Sequence, residues 1–201
     1  MTSSPTAAFA RADLDIATVP AGKVYRRIYL ARHPDALGFG KTPSRFSDPR
    51  RRIEARRFGI LYLGSSLKVC FLEAILRDQR DGVIGVYLLA ESDLVARATA
   101  EIVPTRALRL IDLRGDGQVR MGVPSDVARG TRQTVARDWS VAFHDHPAQV
   151  DGILYSSRLN GEHNIAIYDC AVPALACTGT VALLRARGLA TIIRDLKLAI
   201  V

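Results

Sequence analysis

The sequence lacks the features that mark membrane, secreted and disulfide-stabilised proteins. No uninterrupted apolar stretch approaches the roughly 20 residues that a membrane-spanning helix needs. The segment Met1–Thr6 has neither the basic start nor the long apolar region of a secretory signal, so we expect a cytoplasmic protein. The three cysteines, Cys70, Cys170 and Cys177, are odd in number and show no metal-finger spacing. We therefore expect reduced core thiols rather than a disulfide framework.

The signatures of several large enzyme classes are also absent. The segment Gly38–Thr42 superficially resembles a phosphate-binding glycine loop, but it lacks the spacing and follows no predicted strand directly. The chain contains no Gly-x-Ser-x-Gly elbow and no zinc-protease helix. His144 and His146 flank a loop, with His163 further along, and we expect a solvent-exposed cluster rather than a metal site. No cysteine neighbours a histidine in a nucleophile signature.

Acidic residues are fewer than basic ones, 20 against 28, which gives a formal net charge of +8. This charge predicts attraction to anions of some kind. Much of the excess lies in the run from Arg45 to Arg57, which is typical of a solvated loop or helix face. Aromatic residues make up 6% of the chain, and the run lacks the interleaved rings of single-strand binders. A basic nucleic-acid-binding module is therefore a remote alternative.

Strand and helix patterns are mixed along a chain of 201 residues, long enough for one domain with a real core. Residues 1–20 are rich in Ser, Thr and Ala and are predicted to form a flexible N-terminal arm, which leaves 21–201 as the folded domain. Because the elements do not alternate regularly, we expect an α+β fold, a mixed sheet with flanking helices. The predicted helices cover 65–78 and 125–143, and the predicted strands cover 23–30, 59–64, 83–89, 107–113, 151–156, 164–168 and 180–184.

Glu73 stands where the first predicted helix should bury an apolar residue. Val69, Leu72, Ile75 and Leu76 recur at helical spacing, and Glu73 lies at the edge of the stripe that they form. A carboxylate there is costly unless an arginine or other hydrogen-bond donors meet it. In isolation this pattern is typical of a boundary glutamate that reaches solvent. The polar residues at neighbouring strand ends favour a functional site instead.

Those polar residues suit a phosphate-rich ligand. Arginine forks bind pyrophosphate, a tyrosine ring packs on an aromatic group, and hydroxyls bind sugar oxygens. Alternation along the first long strand requires one of its two adjacent arginines to face inward. The single carboxylate argues against ordinary two-carboxylate glycosidase chemistry. The candidate residues are Arg26, Arg27, Arg45, Tyr62, Ser140, Ser156 and Ser157.

Six stretches form a further pattern through their order and spacing: Tyr25–Ile28, Ser44–Ser47, Phe58–Ser66, Phe71–Ala74, Asp138–Ser140 and Asp151–Arg158. Together they resemble the RES domain family, named for arginine, glutamate and serine. The resemblance implies a fold similar to that of ADP-ribosyltransferases. It also implies the toxin of a bacterial toxin–antitoxin pair that consumes NAD+ by phosphorolysis or hydrolysis of the nicotinamide–ribose bond. An ADP-ribosyltransferase that modifies a specific protein is the alternative.

The resemblance further implies partners and residue roles. A helix-turn-helix antitoxin would block the active site, NAD would be the substrate, and no metal is expected. Glu73 and Tyr62 match the family pattern, and Glu73 would stabilise positive charge on the ribose as the bond breaks.

The family arginine, which would bind pyrophosphate, falls on Arg26 or Arg27, with Arg45 as a possible helper. The family serine matches Ser157, and Ser156 and Ser140 are the alternatives.

Overall fold

The computed structural model describes residues 4–50, 53, 56–77 and 79–201. The strands predicted over 59–64, 107–113, 151–156 and 164–168 are present with small shifts at their ends, whereas the strand Arg97–Pro104 was not predicted. The described strands are numbered in chain order. They are β1 (Ile16–Val19), β2 (Tyr25–Leu30), β3 (Ile60–Gly64), β4 (Tyr87–Leu89), β5 (Arg97–Pro104), β6 (Leu108–Asp112), β7 (Gly152–Ser156), β8 (His163–Tyr168), β9 (Leu175–Ala182) and β10 (Leu198–Ile200).

The helices are short and lie between the strands. In the described ranges, none combines the length and apolar character that a bilayer crossing requires. They are α1 (Leu67–Phe71), which continues as a π-helical segment (Leu72–Leu76), α2 (Glu91–Val95), α3 (Gly117–Arg120), α4 (Asp126–Arg129), α5 (Thr134–His144) and α6 (Leu189–Asp195). Three 3₁₀ segments cover Ala7–Arg11, Asp169–Ala174 and Leu183–Arg185.

One mixed sheet organises the molecule, with strand order β1-β6-β7-β8-β3-β2-β5-β9. Its neighbours are antiparallel except for the parallel pair β6–β7. Side chains alternate between two faces, so that Tyr62 of β3 packs with α5 residues such as Trp139, while Leu61 and Leu63 pack on the opposite side. This confirms the α+β fold with a mixed sheet and flanking helices.

Residues of the expected N-terminal arm belong to the folded domain. Phe9 is buried and makes an edge contact with Trp139 at 4.9 Å between ring centroids. β1 pairs with β6 in antiparallel register. The small polar residues of this segment suggested an arm, but Phe9 and β1 have hydrophobic and hydrogen-bonding partners in the core. The boundary at residue 20 is therefore corrected.

Three predicted elements differ from the observed ones. The helix expected over 125–143 is broken at Gly130 into α4 and α5, and the Ser125 side chain makes no capping bond. The strand expected over 83–89 is restricted to β4. The last strand, expected over 180–184, begins earlier, at Leu175, because it pairs along most of β5. The basic, partly apolar tail after it forms α6 and β10.

The cysteines are free, but only one of them lies in the core. Cys70 is buried, whereas Cys170 and Cys177 are exposed. The expectation of reduced core thiols therefore fits Cys70 alone.

Candidate functional site

Glu73 lies where a helix changes its winding. Ser66 caps α1 by accepting a hydrogen bond from the Val69 amide at 3.1 Å. From Leu72 the helix widens to the π form, and the Arg77 amide donates to the Leu72 carbonyl at 2.7 Å. Single π turns inside α-helices are frequent at functional sites because they redirect side chains. The predicted helix is present, and its π segment carries Glu73.

The Glu73 carboxylate is half-buried and is held by neutral donors. Ser157 Oγ donates to Glu73 Oε1 at 2.7 Å, and Asn164 Nδ2 donates to the same oxygen at 3.3 Å. The requirement that donors meet a carboxylate at the edge of an apolar stripe is thereby fulfilled. The donors come from the end of β7 and the beginning of β8.

Ser157 and Ser156 have different surroundings although they are adjacent. Ser157 is buried, and its Oγ accepts from the Leu159 amide at 3.2 Å while it donates to Glu73. Its amide donates to the Glu162 carbonyl at 2.7 Å, which fixes the turn between the two strands. Ser156 is the last residue of β7 and pairs with His163. The structure brings Ser157 to Glu73 and gives Ser156 no contact with it among the described bonds.

The sheet register places Arg26 on the Glu73 side. Arg26 pairs with Gly64, and Gly64 pairs with Asn164, so the three residues share one face. Arg26 Nη2 also lies 2.6 Å from Glu101 Oε1 on β5.

Arg27 points to the opposite face. Its Nη1 donates to the Ala36 carbonyl at 2.6 Å. Burial lowers the pKa of the Arg27 guanidinium, although the nearby Asp35 raises it. Strand alternation alone did not decide which of the two arginines faces Glu73. The register places Arg26 on the sheet face of the cluster formed by Glu73, Ser157 and Asn164.

Gly64 allows α1 to lie directly on the sheet. A Cβ atom at this position would come within 2.6 Å of both Cys70 Sγ and Val69 Cγ1. Cys70 Sγ donates to the Arg26 carbonyl at 3.1 Å, which ties the helix to β2. Burial raises the pKa of the Cys70 thiol to about 12, so the thiol stays protonated. The close approach brings the helix that carries Glu73 near Arg26.

Tyr62 is anchored through its hydroxyl by the long loop before β3. The Phe46 amide donates to Tyr62 Oη at 2.9 Å, and Ser44 Oγ shares a hydrogen bond with it at 3.0 Å. Burial raises the pKa of Tyr62, against the opposing effect of the nearby Arg45 cation. The phenol is therefore neutral and fixed, on the same sheet face as Asn164.

Ser140 and Arg45 hold that loop in place. Ser140 is fully buried, and its Oγ donates to the Phe46 carbonyl at 2.7 Å. Arg45 Nη1 donates to the Gly130 carbonyl at 2.8 Å, between α4 and α5. Neither residue has a described bond to Glu73. The structure thus places both in the support of Tyr62 rather than in the cluster around the carboxylate.

Three members of the cluster were not among the sequence candidates. Asn164 donates to Glu73, Glu101 pairs with Arg26, and Glu162 accepts from Asn160 Nδ2 at 2.8 Å and from Ser66 Oγ. For two of them, Glu101 and Asn164, the sequence contained a pattern that could have indicated a functional role. Glu101 is a charged residue within the apolar stretch Ala100–Pro104, and Asn164 is a polar residue at the start of a predicted strand.

His144, His146 and Arg50 of the basic run have contacts outside this cluster. His146 is buried beside Phe9 at 5.6 Å between ring centroids, so its expected exposure was wrong. His144 stacks on Phe58 at 4.3 Å. Arg50 pairs with Asp48 and with Asp145. Arg51, Arg52, Glu54 and Ala55 of the basic run lie outside the described residues.

Comparisons with known proteins agree with the resemblance seen in the sequence. Residues 23–183 match the RES domain family. The probable toxin y4kH of Sinorhizobium fredii (strain NBRC 101917 / NGR234) is 37% identical over 127 residues, which are 63% of this chain and the whole of that protein.

A solved structure supports the fold. A chain in the crystal structure of the M. tuberculosis MbcT–MbcA toxin–antitoxin complex matches with a TM-score of 0.62 and 20% identity. The match covers 90% of this chain and 91% of that chain. The family match extends over most of the sequence and includes every residue of the Glu73 cluster. The chain therefore belongs to the RES domain family.

Proposed function

We propose that this protein is the toxin of a bacterial toxin–antitoxin pair and that it cleaves the nicotinamide–ribose bond of NAD+. The toxin assignment is supported by family membership, by the relative named as a probable toxin and by the fold shared with a chain of a toxin–antitoxin complex. One observation carries the proposed reaction. A half-buried carboxylate, Glu73, is oriented by Ser157 and Asn164 on the sheet face that also holds Arg26.

Glu73 would act on charge that develops in the substrate. As the bond to nicotinamide breaks, the ribose acquires oxocarbenium character, and a fixed carboxylate stabilises it without reorganisation. Both hydrogen bonds to Glu73 end on Oε1. We assign Oε2 to the substrate ribose.

Arg26 and Tyr62 would bind the remainder of the substrate. The Arg26 guanidinium is one-third exposed and can bind pyrophosphate oxygens. Tyr62 is anchored at its hydroxyl, which leaves its ring to pack on nicotinamide or ribose. In this proposal Arg27 and Ser140 have no contact with NAD+, because one faces the opposite side of the sheet and the other is fully buried.

The reaction is tested by incubating purified protein with NAD+, with and without phosphate, and resolving the products by mass. Phosphate-dependent loss that yields a phosphorylated ADP-ribose indicates a phosphorylase, and free ADP-ribose without phosphate indicates a hydrolase. Intact NAD+ under both conditions contradicts both reactions. In that case, labelled NAD+ in cell lysate tests the alternative, transfer of ADP-ribose to a protein, which should give a discrete labelled band.

Glu73→Gln is the first variant to test. Gln keeps the shape of the side chain and its acceptor oxygen but removes the charge that faces the oxocarbenium ion. We expect NAD+ consumption to fall by at least about 100-fold, comparable to the loss of one electrostatic stabiliser in other enzymes. Full turnover by a folded Glu73→Gln protein would remove Glu73 from the mechanism.

The antitoxin is proposed as a helix-turn-helix protein that covers the Glu73 face. When the antitoxin is co-expressed with this chain, the two proteins should copurify, and the antitoxin should suppress NAD+ consumption. Suppression without copurification would contradict a direct block of the site.

A further inference from the structure

A second carboxylate lies on the Glu73 face of the sheet, beyond Arg26. Glu101 of β5 is the register partner of Arg26, and Arg26 Nη2 lies 2.6 Å from Glu101 Oε1. The two side chains are 35% and 45% exposed. The pair is therefore accessible to a ligand that occupies this face.

Glu101 lies opposite an irregularity in the neighbouring strand, β9. The register between β5 and β9 shifts between Glu101 and Ile102, since Glu101 pairs with Gly179 and Ile102 pairs with Cys177. Thr178 is the extra residue, and its Oγ1 donates to the Glu101 carbonyl at 3.3 Å. β-bulges redirect side chains and are common beside active sites. The position of Glu101 thus depends on the backbone of β9 as well as on Arg26.

The charge of Glu101 opposes the binding of simple anions at Arg26. A phosphate group that approaches the guanidinium also approaches the Glu101 carboxylate, and like charges repel. A ligand with a hydroxyl next to its phosphate behaves differently. Its phosphate can accept from Arg26 while its hydroxyl donates to Glu101, so that both partners stay satisfied.

We infer that Glu101 is a specificity-determining residue that selects a nucleotide with a ribose hydroxyl beside its diphosphate and rejects inorganic anions. This inference rests on the proposed function, in which Arg26 binds the pyrophosphate of NAD+. Carboxylate recognition of a ribose hydroxyl is a general way in which proteins read nucleotides. The net charge of +8 attracts anions in general, and Glu101 provides discrimination among them.

The test compares two probes on the full chain by calorimetry, inorganic pyrophosphate and ADP-ribose. Glu101→Gln preserves shape and an acceptor for Arg26 but removes the charge. It should tighten pyrophosphate binding by up to about fivefold, the size expected for one exposed charge interaction, without tightening ADP-ribose binding. Glu101→Asp should restore much of the original discrimination. Asp93→Asn, which removes an equally exposed carboxylate paired with Arg97 of the same strand, should leave the ratio of affinities unchanged.

Each outcome separates this inference from the proposed reaction. A ratio of affinities shifted towards pyrophosphate in Glu101→Gln supports the role of Glu101 even if NAD+ remains intact, since binding is measured without turnover. An equal change for both probes, no change, or a shift towards ADP-ribose overturns the inference and leaves NAD+ cleavage standing. If the unmodified protein binds neither probe, the assignment of Arg26 to pyrophosphate fails together with the inference. Thermal melting of each variant identifies loss of fold.

Discussion

At the residue scale, the sharpest contrast is between two neighbouring hydroxyls. Ser157 donates to Glu73 and accepts from the Leu159 amide, whereas Ser156 pairs with His163 at the end of β7. Removing the Ser157 hydroxyl leaves a half-buried carboxylate with one weaker donor, Asn164 at 3.3 Å. A lost hydrogen bond to a charged group costs about 1.5–3 kcal/mol.

We therefore expect Ser157→Ala to lower the kcat for NAD+ consumption about 10- to 100-fold. Ser156→Ala is the matched control and should stay within about twofold of the parent, since no described bond joins it to Glu73. Steady-state kinetics of the two variants provide the measurement. Equal losses in both would show that the hairpin as a whole, rather than the bond to Glu73, is what matters.

The orientation of individual side chains could be predicted from the sequence only in part. Alternation showed that Arg26 and Arg27 face opposite sides but could not say which side holds Glu73. That answer depends on the pairing of Arg26 with Gly64 and of Gly64 with Asn164, a register set by distant segments. Ser140 suited a ligand contact by position, but burial under the loop directs its hydroxyl to the Phe46 carbonyl.

At the element scale, the packing of α1 on the sheet depends on glycine at position 64, which has no side chain to separate them. A Cβ on Gly64 would lie 2.6 Å from two side-chain atoms of α1 and 3.3 Å from Asn164 Oδ1. Gly64→Ala should displace α1 and destabilise the protein by about 1–3 kcal/mol, the usual cost of overpacking. It should also reduce NAD+ consumption, because Glu73 moves with the helix.

Gly179→Ala is the control for that change. Gly179 is likewise a strand glycine, but nothing lies within 4 Å of its would-be Cβ. Its effect on the free energy of unfolding should be within about 0.5 kcal/mol. Urea denaturation of both variants measures the difference. Similar midpoints for the two would contradict close packing at Gly64.

The bounds and winding of the helices were harder to predict than the strands, because helical periodicity does not reveal a break or a π turn. The start of α1 carries a capping signal, the Ser66 hydroxyl, and was predicted. The stretch after Ser125 has helical spacing on both sides of Gly130, which the periodicity alone does not resolve into α4 and α5. The π winding at Glu73 changes no residue pattern. It could therefore not be read from the sequence.

At the scale of the whole molecule, three buried or half-buried carboxylates are paired with arginines, and one of these pairs, Asp151 with Arg106, joins segments 45 residues apart. Asp48, Asp112 and Asp151 pair with Arg50, Arg114 and Arg106, respectively. Burial raises the pKa of each carboxyl, but hydrogen bonds and charge from the arginine outweigh it, and each pKa is lowered overall. These groups stay ionised in the folded protein at pH values where the unfolded chain takes up protons.

The stabilisation from these pairs is therefore present above the unfolded pKa, near 3.9, and is lost as the pH falls through the lower folded values. We expect the melting temperature to decline steeply below about pH 4. Asp151→Asn should lower the melting temperature at neutral pH and flatten this acid decline. Asp195→Asn, at an exposed pair with Lys68, serves as the comparison. An acid decline in Asp151→Asn as steep as in the parent would contradict the prediction.

Composition predicted the molecule as a whole better than it predicted its ends. The single α+β domain and the strands β3, β6, β7 and β8 followed from apolar runs and turn residues, whereas β5, which mixes charged, polar and apolar residues, was not predicted. The segment that holds Phe9 and β1 was misjudged because its partners, Trp139 and β6, lie far along the chain, as in the pair Ile16 and Ile111. Long-range pairing of this kind leaves no local pattern.

The same long-range assembly bears on how the protein is made. Glu73 receives its hydrogen bonds from Ser157 and Asn164, which follow it in the chain by 84 and 91 positions. During translation the carboxylate emerges from the ribosome well before either donor exists. Any activity that requires the oriented carboxylate therefore begins only after the chain has been synthesised as far as Asn164.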